Sequence, residues 1–138
     1  MATKPVVEGL FAETEHGPRL LGSRCATCRT PYFPRTPVCH NPACAESRIE
    51  EAAFGPKGTI WSLAMQDYPP PAPVKFDAPY QRYAMAVVDL DDGLRVLGRI
   101  ATDDPDAVRC DQPVEMVIDV LHHDAEGNTV TTWKFRPL

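Results

Sequence analysis

Four cysteines in two close pairs are the residues of this sequence best suited to chemistry. Two residues separate the first pair, four separate the second, and ten lie between the pairs: Cys25, Cys28, Cys39 and Cys44. Each close pair can supply two thiolates from a tight turn, and four thiolates form the tetrahedral shell that zinc prefers. The spacing therefore predicts a zinc site built from two facing turns.

A shell of four thiolates leaves no coordination position open for water or substrate, so this metal is expected to be structural. Iron in a rubredoxin-like site is the main alternative, because the same four sulfurs suit it. His40, next to Cys39, is a further alternative as a replacement for one cysteine ligand. The fifth cysteine, Cys110, has no metal-like partner nearby, and we expect it to be a small buried apolar residue.

Positive charge is concentrated around the cysteines. The arginines of this region are Arg19, Arg24, Arg29, Arg35 and Arg48. A guanidinium group binds phosphate and carboxylate oxygens through paired hydrogen bonds. These arginines are consistent with a nucleotide-like phosphate, with the acidic surface of a partner protein, or with a solvated basic face.

Catalytic motifs are missing from the sequence. It has no nucleophile elbow, no glycine loop for phosphate and no dinucleotide-binding fingerprint. His122, His123 and Asp124 end a predicted strand, but adjacent strand residues point to opposite faces and the two imidazoles cannot serve one site. We expect a solvated strand end there. We predict no catalytic residue and interpret the chain as a binding or scaffolding subunit.

Composition narrows the class of protein. With 138 residues, 43% of them apolar and 24% charged, the chain is one globular domain or two very small ones. Its longest apolar run, residues 84–88, is far too short to cross a bilayer. The first residues do not resemble a targeting segment, and paired cysteines suit metal binding in a reducing compartment. We expect a cytoplasmic protein with no membrane contact.

The chain divides into three predicted parts. Residues 1–19 form an N-terminal segment with at most one short helix, and residues 20–57 form the four-cysteine module, which has too little apolar volume to fold without a metal. Residues 58–138 are rich in β-branched and aromatic residues. The charges differ as well: residues 1–57 carry net +1 and residues 58–138 carry net −6, which makes the second part a poor default binder of nucleic acid.

Five strands are predicted in the C-terminal part. They are Gly58–Asp67, Gln81–Leu90, Leu94–Ala101, Val114–His123 and Thr129–Phe135. Asp91-Asp92-Gly93 predicts a tight hairpin. Residues 103–108, with Asp103 and Asp104 in front of Pro105, predict one helical turn. Five short antiparallel strands with a small helix after the third are typical of an OB-type barrel. The predicted fold is therefore mainly β, and a small open sandwich is the alternative.

A proline-rich loop interrupts this pattern between the first two predicted strands. Residues 68–80 hold five of the chain's fifteen prolines, which favours a stiff, extended path. Its aromatic residues either pack on the barrel or face a partner. Phe76 and Tyr80 are our candidates for contact with a partner protein or an acyl group.

The order of short motifs along the chain resembles a known family. The motifs are Leu20-Leu21 before the first cysteine pair, Tyr32-Phe33-Pro34-Arg35, Pro37-Val38 before Cys39, Gly58-Thr59-Ile60-Trp61-Ser62, Pro79-Tyr80, Ala86 to Leu90, Pro113-Val114-Glu115 and Trp133 to Pro137. Over roughly residues 8–138 the chain is similar to the zinc-ribbon OB-fold proteins that accompany thiolase-like enzymes. It departs from them in the four residues between Cys39 and Cys44, where two are more usual, and we expect no long N-terminal helical extension of the kind that some members have.

This resemblance implies a fold and a function. The fold is an N-terminal rubredoxin-like zinc ribbon followed by a five-stranded OB barrel. The function is that of an accessory subunit of a thiolase-superfamily complex acting on acyl-CoA, in which the partner holds the catalytic cysteine and histidines. Structural zinc, a CoA ester as substrate of the complex and a two-plus-two assembly follow from the resemblance. Arg35, Phe76 and Tyr80 are then candidates for contact with the partner or with acyl-CoA.

Two functions of other classes stay open from the sequence. Zinc ribbons and OB barrels also bind single-stranded nucleic acid, although the acidic barrel half and its few interleaved cations argue against this. Rubredoxin-like electron transfer would require iron at the four cysteines.

Overall fold

The structure is a computed structural model that describes residues 2–138, and its regular elements are almost entirely β. The strands are β1 (Thr3–Pro5), β2 (Phe11–Thr14), β3 (Gly17–Cys25), β4 (Pro31–Tyr32), β5 (Ile49–Phe54), β6 (Lys57–Gln66), β7 (Tyr83–Leu90), β8 (Arg95–Ile100), β9 (Pro113–His123) and β10 (Thr129–Pro137). The one helical element among these residues is a 3-10 turn at Pro105–Ala107. No helix in this part of the chain is long and apolar enough to cross a membrane.

The last five strands form a closed barrel. β6 pairs with β7 and β7 with β8, both antiparallel, while β8 pairs in parallel with β10. β10 returns antiparallel to β9, and β9 closes the ring on β6. Closure leaves no free edge in this set of five strands, which is how an OB barrel protects its sheet. The predicted OB-type barrel is confirmed, and the open sandwich is not what forms.

The alternation of apolar residues explains why these strands were visible in the sequence. On β7 every second side chain is buried, from Ala84 through Ala86 and Val88 to Leu90. The predicted hairpin follows directly, and Gly93 has the positive φ of 100° that a tight turn requires. The observed strands start and end within two residues of the predicted ones.

The N-terminal residues form strands. β2 and β3 make an antiparallel hairpin whose turn ends at Gly17, where φ is 96°. β1 adds to the barrel by pairing in parallel with β10. Residues 2–19 thus contain no helix, because Phe11 and Leu20 pair across the hairpin and gain burial that a single helical turn would not give them.

β3 is also the centre of the cysteine module. It pairs with β4 on one side and with β5 on the other, so a small sheet carries the segment that ends at Cys25. Gly22 allows close packing here, since a Cβ at this position would lie 2.2 Å from the carbonyl oxygen of Tyr32. β5 ends at Phe54 and β6 begins at Lys57, so the chain changes from the small sheet to the barrel at residues 55–56.

The small sheet and the barrel share one hydrophobic core. Phe11, Leu20 and Phe54 from the small sheet belong to the same buried cluster as the barrel residues Met116 and Phe135. Trp133 of the barrel packs edge to face against two phenylalanines, Phe11 at 6.0 Å and Phe33 at 5.4 Å between ring centroids. The two parts are therefore packed together as one body.

Polar contacts connect the hairpin between β7 and β8 to the boundary between the small sheet and the barrel. Asp92 accepts a hydrogen bond from the Gly55 backbone N–H at its carboxylate (2.9 Å) and one from Arg24 at its carbonyl oxygen (2.9 Å). The Arg24 guanidinium also donates to the carbonyl of Arg29 and lies over the Phe54 ring. Arg24, one of the five arginines near the cysteines, therefore makes its hydrogen bonds within the chain.

Candidate metal centre

The four predicted cysteines come together. Their sulfur atoms all lie within 4.8 Å of one another, and no other group of three or more histidine, cysteine or acidic side chains within residues 2–138 has metal-binding geometry. Two of the sulfur–sulfur distances cross between the pairs, 3.7 Å from Cys25 Sγ to Cys44 Sγ and 3.6 Å from Cys28 Sγ to Cys39 Sγ. Zn–S bonds of about 2.3 Å in a tetrahedron require sulfurs about 3.8 Å apart. The donor set and its spacing therefore fit zinc.

Each knuckle is held by its own backbone hydrogen bonds. In the first, the Cys25 N–H donates to the Thr30 carbonyl and the Arg29 N–H donates to the Cys25 carbonyl, with Arg29 at a φ of 69°. In the second, the Cys44 N–H donates to the Asn41 carbonyl, so the two additional residues extend the loop without displacing its last ligand. These turns direct the four sulfurs toward one another.

Neighbouring hydroxyl groups orient the thiolates. Tyr32 Oη lies 3.2 Å from Cys39 Sγ and accepts the His40 backbone N–H at 2.7 Å. Thr30 Oγ1 lies 3.1 Å from Cys28 Sγ and accepts a hydrogen bond from the Asn41 amide. Each hydroxyl hydrogen is thereby left to point at a sulfur. Tyr32 and Thr30 were not predicted to belong to the site, although both lie within seven residues of a ligand.

Electrostatics show why this cluster needs a cation. The backbone N–H of Cys28 lowers the pKa of the Cys25 thiol from 9.0 to about 6, so this sulfur ionises readily. Burial raises the pKa of Cys44 to about 12, and the neighbouring sulfurs act in the same direction. Four thiolates this close cannot all ionise unless a positive ion lies between them. A bound zinc ion would supply that charge and hold the two knuckles together, and a closed shell gives it a structural role.

His40 does not join the cluster. Its Nε2 atom lies 3.1 Å from the hydroxyl of Thr36, and its ring packs edge to face on Tyr32. Its position as a replacement ligand is therefore not supported.

Cys110 and His122 differ from the sequence expectation. Cys110 is exposed in the turn after the 3-10 element, because Val108 fills the buried position there instead. His122 is buried on β9, and its Nδ1 atom has no hydrogen-bond partner within residues 2–138. His123 is exposed and binds Asp77 of the proline-rich loop, with its backbone N–H at 2.8 Å and its Nδ1 at 2.7 Å from the carboxylate. The end of β9 therefore holds the proline-rich loop in place through His123.

The three candidate contact residues lie in two places. Arg35 is next to the metal module, where it donates to the Gly9 carbonyl at 2.9 Å and lies 3.5 Å from a Glu51 carboxylate oxygen. Phe76 and Tyr80 lie together on the loop with their rings edge to face at 5.4 Å. The structure brings these two together and keeps Arg35 apart from them.

Two family models match the chain in the order that the structure displays. The rubredoxin-like zinc ribbon domain of ChsH2 matches residues 18–50, and the C-terminal OB-fold domain of ChsH2 matches residues 51–119. The chain belongs to the ChsH2 zinc-ribbon and OB-fold family. The predicted zinc ribbon and barrel are thus confirmed at the level of the family.

Relatives with described roles share most of this length. A DUF35 domain-containing scaffold protein of Methanothermobacter thermautotrophicus is 33% identical over 120 residues, which cover 86% of each chain. The benzoylsuccinyl-CoA thiolase subunit BbsA of Thauera aromatica is 26% identical, over 88% of this chain and 78% of that protein. Among solved structures, a chain of the Ltp2-ChsH2(DUF35) aldolase superposes with a TM-score of 0.61 and 29% identity, over 86% of this chain and 84% of the other.

Proposed function

We propose that this chain is a non-catalytic accessory subunit of a thiolase-superfamily complex that forms or cleaves carbon–carbon bonds in acyl-CoA substrates. The observation that carries the proposal is the match of both domains to relatives that are named as scaffold, thiolase subunit and aldolase component. In this proposal the partner supplies the catalytic cysteine and histidines. The chain orders the acyl-CoA site of that partner, in a two-plus-two assembly in the cytoplasm.

The shared core supports a scaffolding role. A subunit that positions a partner must hold its own two domains in a fixed relation, since flexibility would be lost on binding at a cost in affinity. Here the small sheet that leads into the ribbon joins the barrel through the buried rings of Phe11 and Phe54 and through the Asp92 hydrogen bonds. Zinc at the four cysteines would make the ribbon end of this body rigid as well.

The proline-rich loop is our proposed contact with the partner or its acyl group. Its C-terminal part is held in place, by Asp77 on His123 and by the Tyr80 hydroxyl, which donates at 2.7 Å to the carbonyl of Gln66 just before the loop. Phe76 remains 39% exposed. An exposed ring on a pre-ordered loop binds with little loss of conformational entropy. Arg35 is a second proposed contact, through the part of its side chain that stays open to solvent.

The test uses the complex as it exists in the source cells. We expect affinity-tagged chain to co-purify with a thiolase-like subunit in a fixed ratio, measured by native mass spectrometry, and the eluate to thiolyse acyl-CoA. After separation in salt, the chain alone should show no turnover. The thiolysis activity of the partner alone should be at least tenfold lower than that of the complex, and mixing the two subunits should restore it. A partner that stays fully active alone would overturn the proposal.

Paired variants test the loop contact. Replacing Phe76 and Tyr80 together by Ala should weaken the complex by about thirtyfold, the size expected for a central aromatic contact. Trp61→Ala is the matched control, because this ring is 56% exposed but lies on β6 outside the loop. Unchanged affinity and turnover in the double variant would contradict the loop assignment. Strongly salt-dependent binding of oligonucleotides by the isolated chain would favour the nucleic-acid alternative.

A further inference from the structure

A cavity of about 500 Å³ lies between the proline-rich loop and the barrel wall. This volume is within the range of small-molecule sites in proteins. Its aromatic wall is formed by Phe76, Tyr80 and Tyr83, whose rings follow one another edge to face or tilted at 5.4 Å and 6.5 Å. Lys134 and Arg99, aligned on the neighbouring strands β10 and β8, provide a cationic wall.

Most charged groups of this cavity already have partners. The pairs are Asp77 with His123 at 2.7 Å, Asp119 with Lys134 at 3.2 Å, and Arg82 with Asp67 at 2.9 Å and with Asp106 at 3.0 Å. Arg99 is the exception among the cations that line the cavity. Within residues 2–138 its guanidinium makes no hydrogen bond and no ion pair, and it stacks on the Tyr83 ring at 4.0 Å.

Because of where Arg99 lies, its lack of an ion-pair partner within the described residues is evidence for an anion site. Neighbouring like charges on paired strands destabilise a sheet, and the Asp119 carboxylate is used by Lys134. Stacking on Tyr83 fixes the plane of the guanidinium while its N–H groups stay available. Such a planar fork binds a carboxylate through two parallel hydrogen bonds.

The charges also indicate the class of anion. One free guanidinium lies near the carboxylates of Asp77, Asp103 and Asp119, and Asp103 makes no ion pair within the described residues. A dianion such as a phosphate monoester would meet more repulsion than a monoanion. The three rings favour a flat apolar body that can pack against an aromatic face. We infer that this cavity binds a small organic monocarboxylate with a flat apolar body, held by Arg99 and packed against Tyr83, Tyr80 and Phe76.

The experiment uses the full zinc-loaded chain and does not require the proposed partner. Benzoate is titrated while backbone amides are followed by ¹H–¹⁵N NMR, with acetate and phenyl phosphate as comparison ligands. We expect saturable benzoate shifts confined to residues 76–83, 99–103 and 134. Acetate lacks the ring and phenyl phosphate carries the second charge, so each should bind at least tenfold more weakly.

Two substitutions identify the cation. Arg99→Met should weaken benzoate binding at least tenfold, and Arg99→Lys should weaken it to an intermediate degree because the charge remains but the fork is lost. Arg95→Met is the matched control. Arg95 is on the same strand and also stacks on a ring, that of Trp61 at 4.0 Å, but its guanidinium is bound to Asp89 at 2.6 Å. It should leave benzoate binding unchanged.

Several results would overturn the inference. These are no benzoate shifts at millimolar concentrations, shifts away from the cavity, wild-type binding in Arg99→Met, or tighter binding of phenyl phosphate than of benzoate. If Arg99→Met does not fold, judged by its amide spectrum, Arg99→Lys decides on its own. Because the isolated chain is used, failure here is separate from failure of the proposed partner function.

Discussion

Removing the metal should unfold the barrel as well as the ribbon, because the two share a core. The small sheet that carries the first cysteine pair contributes Phe11, Leu20 and Phe54 to that core, with Leu20 and Phe54 fully buried and Phe11 8% exposed. Burying a large apolar side chain stabilises a protein by about 1.5–3 kcal/mol, so these three together contribute roughly 5–9 kcal/mol. A domain of this size is stable by about 5–15 kcal/mol. Loss of the small sheet therefore removes a large share of the free energy of unfolding, and we expect the barrel to unfold with it.

The assay compares the zinc-loaded protein with the Cys28→Ser variant and with chelator-treated protein. Zinc content is measured directly, and barrel folding is followed by hydrogen exchange of the β7 amides and by thermal unfolding. We expect β7 to lose its protection together with the zinc, and unfolding of the loaded protein to occur in one transition. Cys110→Ser is the control, since this exposed cysteine lies outside the cluster and its change should leave zinc content and melting temperature unaltered.

One result would refute the prediction that the barrel unfolds with loss of the metal. If zinc is absent by analysis but the β7 amides stay protected at the same melting temperature, the barrel folds alone. The shared core would then contribute far less than its burial indicates.

Three smaller predictions follow from local geometry. Tyr32→Phe removes the hydroxyl beside Cys39 and should lower zinc affinity by about tenfold in a chelator competition, with no change in stoichiometry. Gly22→Ala should destabilise the protein severely in urea unfolding because its Cβ would meet the Tyr32 carbonyl at 2.2 Å, whereas Gly93→Ala has open space and should cost only about 1–2 kcal/mol for its positive φ. Asp124 is subject to burial, which raises its pKa, but hydrogen bonds led by the Asn128 N–H lower it from 3.8 to about 2, so its stabilising effect is present above pH 4 and lost as pH falls through 2. Asp124→Asn should therefore reduce the acid dependence of the melting temperature between pH 4 and 2.

The strands of the barrel could be predicted because the patterns that indicate them lie within short stretches of sequence. Alternating burial along β7 and the Asp-Gly turn that follows are both visible in a window of ten residues. The four metal ligands were equally visible, since two close cysteine pairs have few other uses. The N-terminal strand β1 was not, because three residues become a strand only through their pairing with β10 at the other end of the chain.

Burial of single residues was predicted less well for the same reason. Cys110 is exposed and His122 is buried, the reverse of what their types and neighbours indicated. Whether a strand end lies under a loop depends on residues far away in sequence. His123 lies 46 positions from Asp77, and nothing near either residue indicates that they meet.

The contacts that join the small sheet to the barrel lie apart from the proposed binding cavity. Phe11 of the small sheet and Phe33 of the ribbon pack on Trp133 of the barrel, so one part of the barrel is used for internal stability. The loop packs on a different part, where Tyr83 and Arg99 face a cavity. Residues that hold the ribbon in place are thus separate from residues that are free to bind. Substitutions at Trp133 should change stability before they change any binding, and substitutions at Arg99 should do the reverse.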